Sequence, residues 1–286
     1  MERIESGIIN ILKPAGITSN AVLTKVKKVL NIKKVGHLGT LDPLGTGVLP
    51  VCVGKATRLF DYYLNKDKVY RTIFVFGKTT DTLDSEGKII NENDRIVTKE
   101  ELLKILPEFI GMQNQMPPIY SAKKVNGKKA YDLARENIEV VLKPKAVEIY
   151  DIKIIDELYI NTFLLEVHCS SGTYIRSLVR DFAAKLNTFG YMGAIIRTKS
   201  GDYLIENAVK IQDITEKSII PIKKILENTE KVVLKFDLYD KIVNGIEVEA
   251  NTCDKHNVTI ECNNKIIGIG DVINGKVKLK TFLLDA

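Results

Sequence analysis

Between residues 36 and 54 the chain places five glycines and two prolines in nineteen positions, reading Gly-His-Leu-Gly-Thr-Leu-Asp-Pro-Leu-Gly-Thr-Gly-Val-Leu-Pro-Val-Cys-Val-Gly. Glycine admits positive φ and proline fixes φ near −65°, so this density prescribes an irregular path. A helix is expected from about Lys55. A loop this long inside a compact domain is usually functional. At its centre stands one carboxylate, Asp42, restrained to an extended backbone by the following Pro43. On spacing alone Asp42 reads equally well as a turn residue capping a backbone amide or as a reactive group.

The flanking elements are mixed in type. Residues 7–12 form a short apolar run, read as a strand. Ser19 then precedes Val22, Val26, Val29 and Leu30 at helical spacing, with Ser19 as the expected cap. From Lys68 to Gly77 a β-branched and aromatic run predicts a strand buried on at least one face. Thr98 and Glu101 form a capping box opening a helix through about Leu106, stopped by Pro107. Phe163, Leu165, Val167 and Cys169 alternate with Leu164, Glu166 and His168, a strand. Ile175, Leu178, Val179, Phe182 and Leu186 then share one helical face. Strands and helices intersperse without a regular βαβ repeat. The fold class expected is therefore α+β, a large mixed or antiparallel sheet flanked by helices, followed by a small C-terminal β-rich unit. Residues 1–228 are expected to form the first domain and 229–286 the second.

The chain has 286 residues, 45% apolar and 27% charged, enough for a sizeable core without staples and unlike a disordered or fibrous chain. No apolar run approaches the roughly 18 residues of a membrane helix, and the start lacks a signal-peptide layout. Cys52, Cys169, Cys253 and Cys262 are too scattered for a disulfide framework, so a reducing cytoplasm is the expected home. The formal charge of +6 is compatible with a polyanionic partner. Residues 229–286 hold eight Lys against nine Asp and Glu, a net of −1, so the positive excess lies entirely in the first 228 residues.

Several apparent motifs fail. Gly77-Lys78-Thr79 ends like a phosphate-binding loop, but Thr72 stands where such a loop has glycine. Gly45-Thr46-Gly47 begins like a dinucleotide fingerprint, but Pro50 takes the third glycine position. Cys253, His256 and Cys262 lack a nearby fourth zinc ligand and read as exposed loop residues, so no metal is expected. Asp81, Asp84 and Glu86 lack the spacing of a calcium loop and read as a solvated turn.

Two further stretches carry chemistry. In Cys169-Ser170-Ser171-Gly172-Thr173-Tyr174-Ile175-Arg176 a strand turns into a helix with Arg176 in the first turn. A cation there opposes the helix dipole, which is easier to understand if a carboxylate lies opposite; an arginine reaching solvent is the commoner fate. Residues 115–131 combine Pro117-Pro118, Tyr120, Tyr131 and four lysines, Lys123, Lys124, Lys128 and Lys129, around Asn126-Gly127. That suits phosphate contacts and stacking, or a solvated basic hairpin.

Taken together these stretches resemble the family of tRNA pseudouridine synthases that act on uridine 55 of the T loop. The resemblance runs in order over residues 7–203. It includes Ile11-Leu12-Lys13-Pro14-Ala15-Gly16-Ile17-Thr18-Ser19, the segment around Asp42-Pro43, Lys68-Val69-Tyr70-Arg71 and Thr80-Asp81-Thr82-Leu83-Asp84. It continues through Pro117-Pro118-Ile119-Tyr120-Ser121-Ala122, Gly172-Thr173-Tyr174-Ile175-Arg176 and Ile195-Ile196-Arg197-Thr198. Ile195-Ile196 departs from the family's more usual Leu-Arg, removing one charge that could meet RNA.

The resemblance implies an isomerase that breaks the N1–C1′ bond of uridine and joins C5 to C1′, with no cofactor. It implies Asp42 as the catalytic carboxylate, either attacking C1′ or removing a sugar proton, and Arg176 as its ion-pair partner. It implies Tyr70 stacked on the target base near C5, Tyr174 and Ile195 as pocket walls, and His37 against RNA where bases are displaced. Arg58, Lys13 and the lysines of residues 123–129 are the candidates for RNA-backbone contacts. The partner implied is tRNA, through its T stem and loop, with no membrane association and a monomeric protein. Residues 229–286 resemble the family's accessory domains. Rival readings are a non-catalytic RNA-binding protein, such as a tRNA-folding chaperone on the same scaffold, and a synthase acting on another RNA site.

Overall fold

The structure is a computed structural model and describes residues 5–64, 66–121, 124–125, 128–129 and 142–284. Its main element is an eleven-stranded mixed sheet. Eight of those strands set the site: β1 (Gly7–Lys13), β2 (Val35–His37), β3 (Thr46–Val53), β4 (Lys68–Phe76), β5 (Gly111–Gln115), β6 (Lys145–Tyr159), β7 (Thr162–Cys169) and β8 (Gly190–Ser200). Along the sheet the order is β1, β3, β8, β4, β7, β6, β5, with β2 on the edge of β3. β3 and β8 run parallel, and the pairs from β8 to β5 are antiparallel. This is the α+β arrangement expected.

Helices α1 (Ser19–Val29), α2 (Phe60–Leu64), α3 (Lys99–Ile105) and α4 (Ile175–Lys185) connect these strands. The alternation of β7 holds, burying Phe163, Leu165, Val167 and Cys169 against Ile175, Leu178, Val179, Phe182 and Leu186 of the α4 segment. Full burial of an aliphatic or aromatic side chain stabilises by about 1.5–3 kcal/mol, so this face alone anchors α4 to the sheet. The Thr98–Glu101 capping box is present. The α-helix ends at Ile105 with Leu106 as its C-cap, directly before Pro107 as expected, and residues Leu106–Phe109 then tighten into a 3-10 turn with the proline near its start, where no N–H is needed.

Three local expectations are corrected. Residues 36–54 are not irregular throughout, because strands β2 and β3 occupy both ends and only residues 38–45 form a loop. Pro50 sits inside central strand β3, where the partner on one side changes from β8 at residues 46–47 to β2 at residues 51–53. Its carbonyl accepts from Leu38 on that side, so its missing N–H points into the gap between two partners. The cap of α1 is Thr18, whose hydroxyl accepts from the Ala21 amide at 3.0 Å, whereas Ser19 is buried. Cys262 is not an exposed loop residue; it is buried at the end of a strand and its thiol donates to the Lys235 carbonyl.

Residues 231–282 contain a second sheet of five strands, β9 (Lys231–Leu234), β10 (Val248–Glu249), β11 (Lys255–Cys262), β12 (Lys265–Ile273) and β13 (Lys276–Phe282), in the order β9, β11, β12, β13, β10. Its two hairpins turn on Asn263-Asn264 and Asn274-Gly275, all four at positive φ, as tight two-residue hairpin turns require. Ile269 and Leu283 pack in one cluster with Ile8, Leu59 and Tyr63 of the main body. Leu283 is 1% exposed, so Leu283→Ala is expected to destabilise the whole chain by about 2–5 kcal/mol. Urea unfolding checks this, and an unchanged midpoint would contradict the shared core. No helix among the described residues is long and apolar enough to cross a membrane.

Candidate active site

The loop of residues 38–45 is held from beneath by three buried side chains. Ser19 Oγ donates to the Leu41 carbonyl at 2.8 Å and accepts from the Leu41 amide at 2.9 Å. The Lys13 ammonium donates to the carbonyls of Pro14, Pro43 and Gly45 at 2.9, 3.1 and 2.6 Å, fixing the backbone directly after Asp42. The Arg197 guanidinium donates to Val48, Thr40 and Gly39 carbonyls at 2.7, 3.4 and 3.1 Å, tying the loop to β3 and β8. Gly47 permits this approach: its φ is +102° and a Cβ there would lie 2.2 Å from the Arg197 carbonyl oxygen. The outcome is one backbone path that presents Asp42 outward, its side chain 42% exposed.

Arg176 reaches Asp42 from the first turn of α4, with Nη2 at 2.7 Å from the carboxylate Oδ2. The guanidinium is buried, its side chain 7% exposed. Its other arm donates to the Thr82 carbonyl at 3.1 Å and lies 3.5 Å from the Asp84 carboxylate. Asp84 is itself buried and accepts from Thr82 Oγ1 at 2.6 Å and the Glu86 amide at 3.1 Å. The Asp81–Glu86 stretch is therefore not merely a solvated turn. It carries the buried counter-charge that lets an arginine sit in the first turn of a helix. Gln115, at the end of β5, fixes that helix start: its amide accepts from the Tyr174 N–H at 2.8 Å and donates to the Tyr174 carbonyl at 3.1 Å.

Around this pair opens a cleft of about 600 Å³ whose lining includes Asp42, Arg176, Tyr70, Tyr174, Ile195 and His37. Tyr70 and Tyr174 are pushed above the usual tyrosine range by burial, so both phenols keep their protons at neutral pH. His37 is pushed down, first by burial and then by the Arg197 cation, which favours a neutral ring. Its Nδ1 is buried with no hydrogen-bond partner among the described residues. Geometrically the site can hold one carboxylate, oriented by a guanidinium, beside a planar ring packed between aromatic and aliphatic walls.

The comparisons with known proteins bear on this arrangement. Residues 27–175 match the model of the TruB family pseudouridylate synthase, N-terminal domain. That match contains the Asp42 loop and Tyr70 and ends one residue before Arg176. The chain belongs to the TruB family of pseudouridylate synthases. A relative from Clostridium perfringens (strain SM101), named tRNA pseudouridine synthase B, is 40% identical over 98% of this chain and 99% of its own length. One from Caldanaerobacter subterraneus subsp. tengcongensis with the same name is 41% identical over 96% and 98%. Among solved structures, a chain of a Cbf5-Nop10-Gar1 complex matches with TM-score 0.74 at 25% identity, covering 98% of this chain and 86% of that one.

Within this TruB-family site, six of the eight residues singled out from the sequence line one cleft: Asp42, Arg176, Tyr70, His37, Tyr174 and Ile195. Lys13 and Arg58 are not in its lining. Lys13 is wholly buried beneath the loop, and Arg58 donates to the Phe282 carbonyl at 2.7 Å, facing the second sheet. Lys124-Val125 and Lys128-Lys129 pair as an antiparallel hairpin. Lys123 and Tyr131, and the side chains of Lys124, Lys128 and Lys129, lie outside the described residues. Asp84, Gln115, Ser19 and the clamping role of Arg197 were missed. Only the misplaced charge of Arg176, which calls for a buried carboxylate, signalled one of them.

Burial lowers the Lys13 ammonium from its ordinary 10.5 to about 8. Between those values the unfolded chain binds more protons than the folded one, so this residue's contribution to stability rises with pH. Comparing wild type with Lys13→Met by urea unfolding, the stability difference is expected to move in favour of wild type from pH 8 to 10.5. A difference flat across that window would contradict it.

Proposed function

We propose that the chain converts uridine 55 in the T loop of tRNA to pseudouridine. The observation that carries this reading is the Asp42–Arg176 ion pair, 2.7 Å long, at the mouth of a cleft walled by Tyr70, Tyr174 and Ile195. The printed names of the relatives, tRNA pseudouridine synthase B, support tRNA as the substrate.

The reaction is an isomerisation. The N1–C1′ bond breaks, the uracil turns, C5 bonds to C1′, the C5 proton leaves and N1 gains one. Asp42 acts at the sugar, as nucleophile on C1′ or as base toward a sugar proton. Arg176, held by Asp84 and the Thr82 carbonyl, orients that carboxylate through the 2.7 Å ion pair. Tyr70, protonated because it is buried, stacks on the base and lies beside the C5 whose proton is lost. A uridine inside a folded loop is reached only when flipped out, at a cost of a few kcal/mol, and His37 meets the RNA where it is displaced. Residues 1–228 carry the chemistry and 229–286 act as an accessory unit on the same RNA. Mapping pseudouridine in tRNA treated with the protein tests the site: modification at position 55 is expected, and a dominant site elsewhere would overturn the assignment.

A further inference from the structure

The charge lining the cleft is lopsided. Its cations are Lys68, Lys145, Arg176 and Arg197, and its one carboxylate is Asp42. Arg176 is already balanced by Asp42 and Asp84, and Arg197 donates to the loop carbonyls of Gly39 and Thr40 and the β3 carbonyl of Val48. Lys68 and Lys145 remain without an ion pair among the described residues.

Both line the cleft beside the turn of residues 171–173. Lys68 starts β4 opposite Cys169 at the end of β7, two residues from Tyr70 and on the same buried face of β4. Lys145 starts β6, which is bound to the turn after β7: Ser170 exchanges two hydrogen bonds with the Glu148 backbone, each 2.8 Å. Gly172, at φ +80°, leaves the room that the Lys145 ammonium fills, since a Cβ there would lie 1.8 Å from Nζ. Lys68 is 5% exposed, and among the described residues its ammonium donates to the Lys66 carbonyl. Burial, and then the Arg197 charge, pull its pKa down to about 8, with Lys145 adding to the repulsion. The adjacent carboxylate, Asp67, is engaged by His168 at 2.6 Å and Lys199 at 3.1 Å. Crowding like charges in a half-dry wall is unfavourable unless an anion joins them.

We propose that Lys68 and Lys145, with the turn of residues 171–173, form a phosphate subsite that takes a backbone phosphodiester of the substrate RNA adjoining the nucleotide presented to Asp42. This rests on the RNA-modifying reading of the cleft. The subsite would fix the register of the strand while Tyr70 and Asp42 address the flipped nucleoside.

The test uses the full chain and a T-arm RNA hairpin, with neutral methylphosphonate linkages introduced singly through the loop. For Lys145→Ala, on an exposed side chain, affinity is expected to fall roughly 3–10-fold and the slope of log K against log salt to shrink by about 0.7, one single-stranded phosphate. One neutral linkage beside the target uridine should weaken wild type by a similar factor and leave Lys145→Ala unmoved, while Lys145→Arg behaves as wild type. An unchanged slope, or a variant as sensitive as wild type to every linkage, overturns the subsite. Inorganic phosphate competing with RNA at a site indifferent to all linkages would make it a free-anion site and overturn the RNA assignment. Tritium release by wild type from 5-³H-uridine RNA, run alongside, separates the two readings. Release with an unchanged slope removes the subsite alone, and no release removes the reaction and the subsite with it.

Discussion

Asp42→Asn is expected to abolish pseudouridine formation while leaving tRNA affinity within roughly tenfold, about 1.4 kcal/mol. The substitution is nearly isosteric, and the asparagine carbonyl can still accept from Arg176, so the loop held by Ser19, Lys13 and Arg197 should stand unchanged. What disappears is the negative charge, and neither attack at C1′ nor removal of a sugar proton proceeds from a neutral amide. Single-turnover product analysis and filter binding, side by side, separate the two effects. A parallel loss of binding would contradict a purely chemical role for this carboxylate.

The second large effect is expected at Arg176. Its guanidinium spans the Asp42 carboxylate, the Asp84 carboxylate and the Thr82 carbonyl, a fork that a lysine's point charge cannot reproduce. Arg176→Lys is therefore expected to slow single-turnover chemistry by at least about 10², the scale of losing one preorganised partner at a reacting group. Arg176→Ala leaves Asp84 buried beside no cation and is expected to destabilise the fold by about 3–5 kcal/mol. Near-normal turnover of the lysine variant would separate Arg176 from Asp42 functionally.

Local chemistry only drew attention to these two residues, and the family resemblance gave them roles. Asp42 sits in a glycine- and proline-rich stretch where it reads equally well as a turn residue, and Arg176 stands where the helix dipole opposes it. The strands and α4 were legible from periodicity, since period-two and helical burial survive in the residue order of 162–169 and 175–186. Asp84, Gln115 and Ser19 were not, because their importance arises only in three dimensions. Asp84 looks like any loop acid until the chain sets it 3.5 Å from Arg176. Gln115 is a strand residue whose amide happens to meet a helix start 59 positions away. Ser19 resembles a cap, and a one-residue shift gives that task to Thr18 and turns Ser19 toward Leu41. Lys13 differs in the opposite direction: put forward as a contact to the RNA backbone, it is wholly buried under the loop. Hydrophobic pattern encodes faces; it does not encode which buried polar groups find each other.

Isomerisation of one T-loop uridine in this cleft is tested by tritium release from tRNA carrying 5-³H-uridine. Release by wild type is expected to reach one uridine per tRNA, at position 55. No release from tRNA that the protein binds tightly would contradict it and leave an RNA-binding protein that does no chemistry.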